Sequence, residues 1–159
     1  MNKTKIDWCD MTWNPVTGCL HGCEYCYARR IAERFKCDNE TFAKKHINSS
    51  TDDFICYEGE YHCAFPFGFK PTLYMERLDE PQHIKKPHNI FVCSMADLFG
   101  DWVSDEWIQQ VFKACEVAPQ HNYLFLTKNP KRYENIRVNA DKGKALIAQY
   151  KTKYGLGQQ

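Results

Sequence analysis

Apolar positions along the chain fall into two rhythms. Ala28, Ile31, Ala32 and Phe35 recur at helical spacing, with Arg29, Arg30, Glu33 and Arg34 on the other side, and predict a helix opening at Cys26. Trp107, Ile108, Val111, Phe112 and Cys115 repeat that pattern and predict a second helix from about Ser104 to Val117. Ser104 is its candidate N-cap, Asp105 and Glu106 suit the positive end of its dipole, and Pro119 stops it. Unbroken apolar runs mark strands instead. Ile90-Phe91-Val92-Cys93 and Tyr123-Leu124-Phe125-Leu126 read as buried strands, and Thr72 to Met75 as a shorter one. Pro81 to Lys86 predicts a brief helical turn, and Asn129-Pro130 supplies the N-cap and first-turn positions of another helix.

Strand, helix, strand with continuous apolar strands is the pattern of a parallel sheet covered by helices. The expected fold class is therefore α/β, a partial (β/α) barrel of about four units, where a full barrel needs about 250 residues. Residues 1–140 would form it, with 37–67 as an irregular insertion centred on Asn48 to Asp53. Residues 141–159 would be a C-terminal helical tail, its helix running to about Tyr154 and ended by Gly155. Active residues in such an architecture gather where strands end and loops begin, here Ser94 to Asp97 and Thr127-Lys128.

Composition narrows the class. With 43% hydrophobic and 14% aromatic residues in 159, the chain has enough apolar surface for one core. A formal charge of +1 argues against a strongly basic nucleic-acid surface, and no apolar run of membrane-spanning length is present. The first seven residues lack the apolar stretch of a signal peptide, so a cytoplasmic location and no membrane partner are expected. Nine cysteines, an odd number, fit that location as metal ligands and buried thiols better than as disulfides. Cys93 and Cys115, in apolar runs, are expected in the core.

Three of the nine stand apart. Cys19, Cys23 and Cys26 lie within Gly18-Cys19-Leu20-His21-Gly22-Cys23-Glu24-Tyr25-Cys26-Tyr27, between turn signals and a predicted helix. Three thiolates on one tight loop can hold three irons of a 4Fe–4S cluster and leave the fourth without a protein ligand. Clusters that only carry electrons usually have four cysteines, so this spacing points to chemistry. The segment, with aromatic Tyr25 before the third cysteine, resembles the signature of the radical S-adenosylmethionine (radical SAM) superfamily. The stretches Thr12 to Cys19, Gly68 to Leu73 with Arg77 to Pro81, Ile90 to Phe99 and Leu124 to Pro130 resemble a phage-associated three-cysteine-motif family of radical SAM-like proteins. That resemblance covers about residues 7–136.

The resemblance implies a barrel truncated relative to a full radical SAM core. It also implies cluster ligation by Cys19, Cys23 and Cys26, S-adenosylmethionine on the open iron, and its reductive cleavage to begin radical chemistry on a substrate it does not name. A flavodoxin- or ferredoxin-like electron donor follows, and a further partner protein is allowed. Tyr25 is expected beside the adenine of S-adenosylmethionine. The Gly-Gly-Glu segment common in such enzymes has no match, Glu58-Gly59-Glu60 being only superficially similar, and Asp97 and Lys128 are the substitute polar contacts to cofactor or substrate. His21 reads as a solvent-facing loop residue.

Two other chemistries remain open at this stage. Cys19, Cys23 and Cys26 with Cys9 or His21 would close the tetrahedral zinc site of a binding module, and a non-catalytic remnant would keep the cluster alone. Cys37, Cys56 and Cys63, with His62, are a second thiol group without paired zinc-knuckle spacing. Nucleic acid is a weak candidate partner through Trp8, Trp13 and Lys3.

Overall fold

A computed structural model describes residues 1–36, 55–57 and 64–132. The tail 141–159, most of the insertion, Cys37, Cys63, His62, Glu58 to Glu60 and the side chain of Cys56 lie outside the described residues. In chain order the elements are β1 (Asn2–Lys3), β2 (Met11–Trp13), β3 (Val16–Thr17), α1 (Tyr27–Arg34), β4 (Ile55–Tyr57), β5 (Thr72–Tyr74), β6 (Asn89–Val92), α2 (Asp105–Val117) and β7 (Asn122–Phe125). Short 3-10 turns at Met75–Arg77 and Glu80–His83 join β5 to β6, the second being the helical turn expected near Pro81.

The strands form two sheets, ordered β1-β2-β6-β7 and β3-β5-β4, rather than a closed barrel among the described residues. In the first, β2, β6 and β7 run parallel, with Thr12 beside Phe91 and Phe91 beside Leu124. The expected β6–α2–β7 unit is therefore present. Strand β2, the parallel partner of β6, is an addition to the expected set. Residues 11–17 serve both sheets, because β3 follows β2 after two residues and Pro15 O accepts the N–H of Tyr74 (2.8 Å).

Alternation along the strands separates two faces. Met11, Trp13, Ile90, Val92, Tyr123 and Phe125 turn to one core, which α2 completes with Trp107, Ile108, Val111, Phe112 and Cys115. Burying each of these side chains contributes about 1.5–3 kcal/mol. Ser104 caps α2 as expected, its Oγ accepting the N–H of Trp107 (3.3 Å). On the opposite face Phe91 and Leu124 pack with Cys9 in a smaller group flanked by Ile6 and Trp8. Cys93 and Cys115 are buried, in agreement with the expectation.

Helix α1 departs from its expected apolar stripe. Only Ala28 and Ala32 are buried, against Phe65, Phe69 and Met95, while Ile31 and Phe35 remain exposed at 39% and 54%. Trp13, entertained as a nucleic-acid contact, is instead fully buried, its indole N–H donating to Arg77 O (2.7 Å). Past β7, Arg132 N–H donates to Asn129 O (3.2 Å) in a turn, and the rest of the segment expected to be helical there lies outside the described residues. No helix among the described residues is long and apolar enough to cross a membrane.

Candidate metal centre

Parallel strands bring their carboxyl ends to one edge, so the loops after Trp13, Val92 and Phe125 meet there. The first of these loops carries the three cysteines. Gly18 starts it at φ +86°, with its N–H on Met95 O (2.9 Å). A Cβ at this position would lie 2.2 Å from Lys70 O, so both backbone conformation and space demand glycine. Asn14 Oδ1 accepts from Ser94 Oγ (3.1 Å) and Met95 N (3.0 Å), tying the cysteine loop to the end of β6. Cys93 makes that end turn sharply, at φ +57°, while its N–H holds Trp13 O (2.8 Å).

Asp97 is the hub of the edge. Its side chain is buried, with Oδ1 accepting from Thr127 Oγ1 (2.6 Å) and Phe99 N (3.0 Å). Oδ2 accepts the N–H of Lys128 (2.8 Å) and pairs with His21 Nε2 (2.8 Å). One carboxylate thus fastens the cysteine loop to the loops after β6 and β7. His21 is exposed, as expected of a loop position, yet its side chain is only 24% exposed and set edge-on to Trp102, with ring centroids 4.8 Å apart. The cause is Asp97, which lies 76 residues away and is invisible to local pattern.

The thiols sit in unequal surroundings. Cys23 Sγ receives the Lys128 ammonium at 2.9 Å, a contact that pushes the lysine pKa up. Cys26 Sγ caps α1 by accepting the N–H of Arg29 (3.3 Å), where the helix dipole favours negative charge. The Cys19 thiol pKa is pushed up, chiefly by burial. Together they border a cavity of about 310 Å³, with Asp97, Thr127 and Lys128 completing the wall. Tyr27 also borders it and donates its hydroxyl to Ser94 O, with its pKa raised mainly by burial. The sequence reading had passed over Tyr27; its place directly after the third cysteine, on the first turn of α1, was the available signal. Tyr25 is 89% exposed and lies outside the cavity wall.

Three thiols on one cavity wall are a donor set that zinc and iron–sulfur clusters both accept. Among the described residues no three His, Cys, Asp or Glu side chains converge so as to hold a single metal ion. A tetrahedral zinc site needs four donors about 2.0–2.3 Å from one point. Of the two expected fourth donors, Cys9 packs with Phe91 and Leu124, while His21 pairs Nε2 with Asp97 and keeps Nδ1, the arrangement common among metal-ligating histidines. A 4Fe–4S cluster uses one cysteine per iron, so its thiols surround a volume instead of meeting.

Fold and site together define an α/β protein with three cysteines gathered at the carboxyl edge of parallel strands. The chain belongs to the family described as a protein of unknown function (DUF5131), whose model matches residues 3–153. No curated protein and no solved structure matches it.

Proposed function

We propose that this chain binds a 4Fe–4S cluster through Cys19, Cys23 and Cys26 and is a radical SAM-like enzyme, reductively cleaving S-adenosylmethionine to start radical chemistry on a further substrate. In this reading the parallel β2–β6–β7 array is part of an incomplete (β/α) barrel. The observation that carries the proposal is the placement of three thiols from one loop around one cavity.

A 4Fe–4S cluster held by Cys19, Cys23 and Cys26 would supply one-electron reduction of S-adenosylmethionine, chemistry no side chain possesses. The chain's residues supply position and charge. The Lys128 ammonium and the first turn of α1 offset the negative charge of thiolates at Cys23 and Cys26. Asp97 has each oxygen occupied twice, so it orders the site through His21, Thr127 and the Lys128 backbone instead of touching cofactor. Lys128 is the polar contact for cofactor, and Phe69 and Leu126 form an apolar part of the wall. Tyr25, exposed and outside the cavity wall, is assigned to the adenine by its motif position alone. A flavodoxin- or ferredoxin-like protein is the proposed electron donor.

Anaerobic purification and reconstitution with iron and sulfide tests the reading. A brown protein with about four irons, yielding 5′-deoxyadenosine from S-adenosylmethionine and a reductant, is the expected result. A colourless protein holding one zinc ion would return the zinc-module reading, and a cluster without cleavage would indicate a remnant. Cys23→Ala should lose the colour while keeping the far-ultraviolet circular dichroism of the parent.

A further inference from the structure

Seven large apolar side chains are exposed among the described residues, and six of them gather around the cysteine site. Leu20 and Tyr25 lie on the cysteine loop, Tyr27 and Ile31 on α1, Phe35 directly after it, and Leu126 on the cavity wall. Val117, at the end of α2, is the exception. Single apolar residues scattered over a surface are normal, whereas a group of them rimmed by polar residues marks an interaction site. Tyr27 and Ile31 stand one turn apart on the same flank of α1, and Tyr27 also borders the cysteine cavity. The apolar strip therefore starts at the mouth of that cavity and runs along the helix.

Its rim is basic. Arg30 and Arg34, also one turn apart, lie beside Tyr27 and Ile31 and are exposed. Residues 19–36 carry Arg29, Arg30, Arg34 and Lys36 against Glu24 and Glu33, four cations to two carboxylates, a balance of +2 in a chain whose total is +1. Lys36 is paired with Glu33 at 3.4 Å, so the uncompensated charge is that of the arginines. Arginine and aromatic residues are the side chains enriched in protein interfaces. Leu20, Ile31 and Leu126 have no use in stacking nucleobases, so the mixture favours a protein over a nucleic acid. Helix α1, with 8 residues, is about 12 Å long. That length suits the small interfaces, under about 1,200 Å², of transient electron-transfer complexes better than a lasting dimer.

We infer that this face docks an acidic one-electron carrier protein, with Tyr27 and Ile31 in the apolar centre, Arg30 and Arg34 against carboxylates of the carrier, and the carrier's redox group at the mouth of the cysteine cavity. Opposite charge steers such an encounter and makes it fall off with salt. One electron leaves the reduced carrier and enters at the cysteine site, and no bond is made or broken between the two proteins. That use of the docking rests on the function proposed above; the docking itself does not need iron.

Calorimetric titration of the full chain without iron uses two probes, an oxidised acidic flavodoxin and an acidic ferredoxin. At least one should bind at low ionic strength and lose about tenfold or more in affinity at physiological ionic strength. The double variant Arg30→Gln with Arg34→Gln and, separately, Ile31→Gln should each weaken that binding at least about fivefold. Melting temperatures should not change, because all three side chains are exposed. Lys113→Gln, exposed on α2, should leave the binding as it is. In the reconstituted protein the double variant should slow reduction by the carrier and not reduction by dithionite. Absence of binding by both probes, affinity unchanged in the double variant and in Ile31→Gln, or tighter binding of oligothymidylate or of a second copy of this chain than of either carrier overturns the docking. No cluster, or no cleavage with dithionite, while carrier binding is intact overturns only the function proposed above.

Discussion

The two helices are held in opposite ways. Helix α2 spans 13 residues and buries five large side chains against the parallel strands, so its own sequence secures it. Helix α1 spans 8 residues and buries only two alanines. What holds α1 is concentrated at its first turn, in the Cys26 cap and the Tyr27 bond to Ser94. A helix of that length is marginal by itself. The difference teaches that one half of the molecule is stabilised by packing, and the other by the loop that bears the three cysteines.

That contrast can be broken from the packed side. Ile108→Ala, at a fully buried position, should cost about 2–5 kcal/mol in urea unfolding, because the rigid core only partly refills the space. On the loop side, Gly18→Ala forces a side chain into left-handed backbone, about 1–2 kcal/mol, and adds the clash with Lys70 O. Iron uptake after reconstitution should fall sharply while the α2 unit stays folded, as read by amide exchange. An unchanged iron content in that variant would count against the loop's dependence on Gly18.

Asp97→Asn sharpens the comparison further. It keeps the shape but replaces acceptor capacity that four donors use, a loss of about 1.5–3 kcal/mol for bonds to a charged group. Exchange should rise in the cysteine loop and around Thr127 and not in α2. The smallest effect concerns the thiols. Burial pushes the Cys93 pKa up to about 12 from 9.0, so the folded protein keeps that proton longer than the unfolded chain. Stability from this group is intact below about pH 8.5 and declines as pH rises towards 12. Mass spectrometry after brief alkylation at neutral pH should find Cys93 and Cys115 unmodified and Cys19, Cys23 and Cys26 modified, in line with their burial.

Legibility followed the same divide. Helix α2 could be read because its cap, acidic first turn and apolar spacing are all local, and β6 and β7 because each is an unbroken apolar run. Strand β2 escaped notice because Met11-Thr12-Trp13 is three residues long with a polar middle. The cysteine loop was visible as spacing. Its fastenings were not: Asp97 meets His21 across 76 residues, and Lys128 meets Cys23 across 105. Ile31 and Phe35 misled because periodicity shows that an apolar stripe exists, not that something covers it.

The bend at Cys93 has a consequence for how the cysteine loop is held. By reversing there, the chain hands two successive carbonyls to the loop opposite: Ser94 O to the Tyr27 hydroxyl and Met95 O to the Gly18 amide. The tip of β6 therefore grips the thiol-bearing segment near both of its ends, so neither end depends on a single bond to that strand.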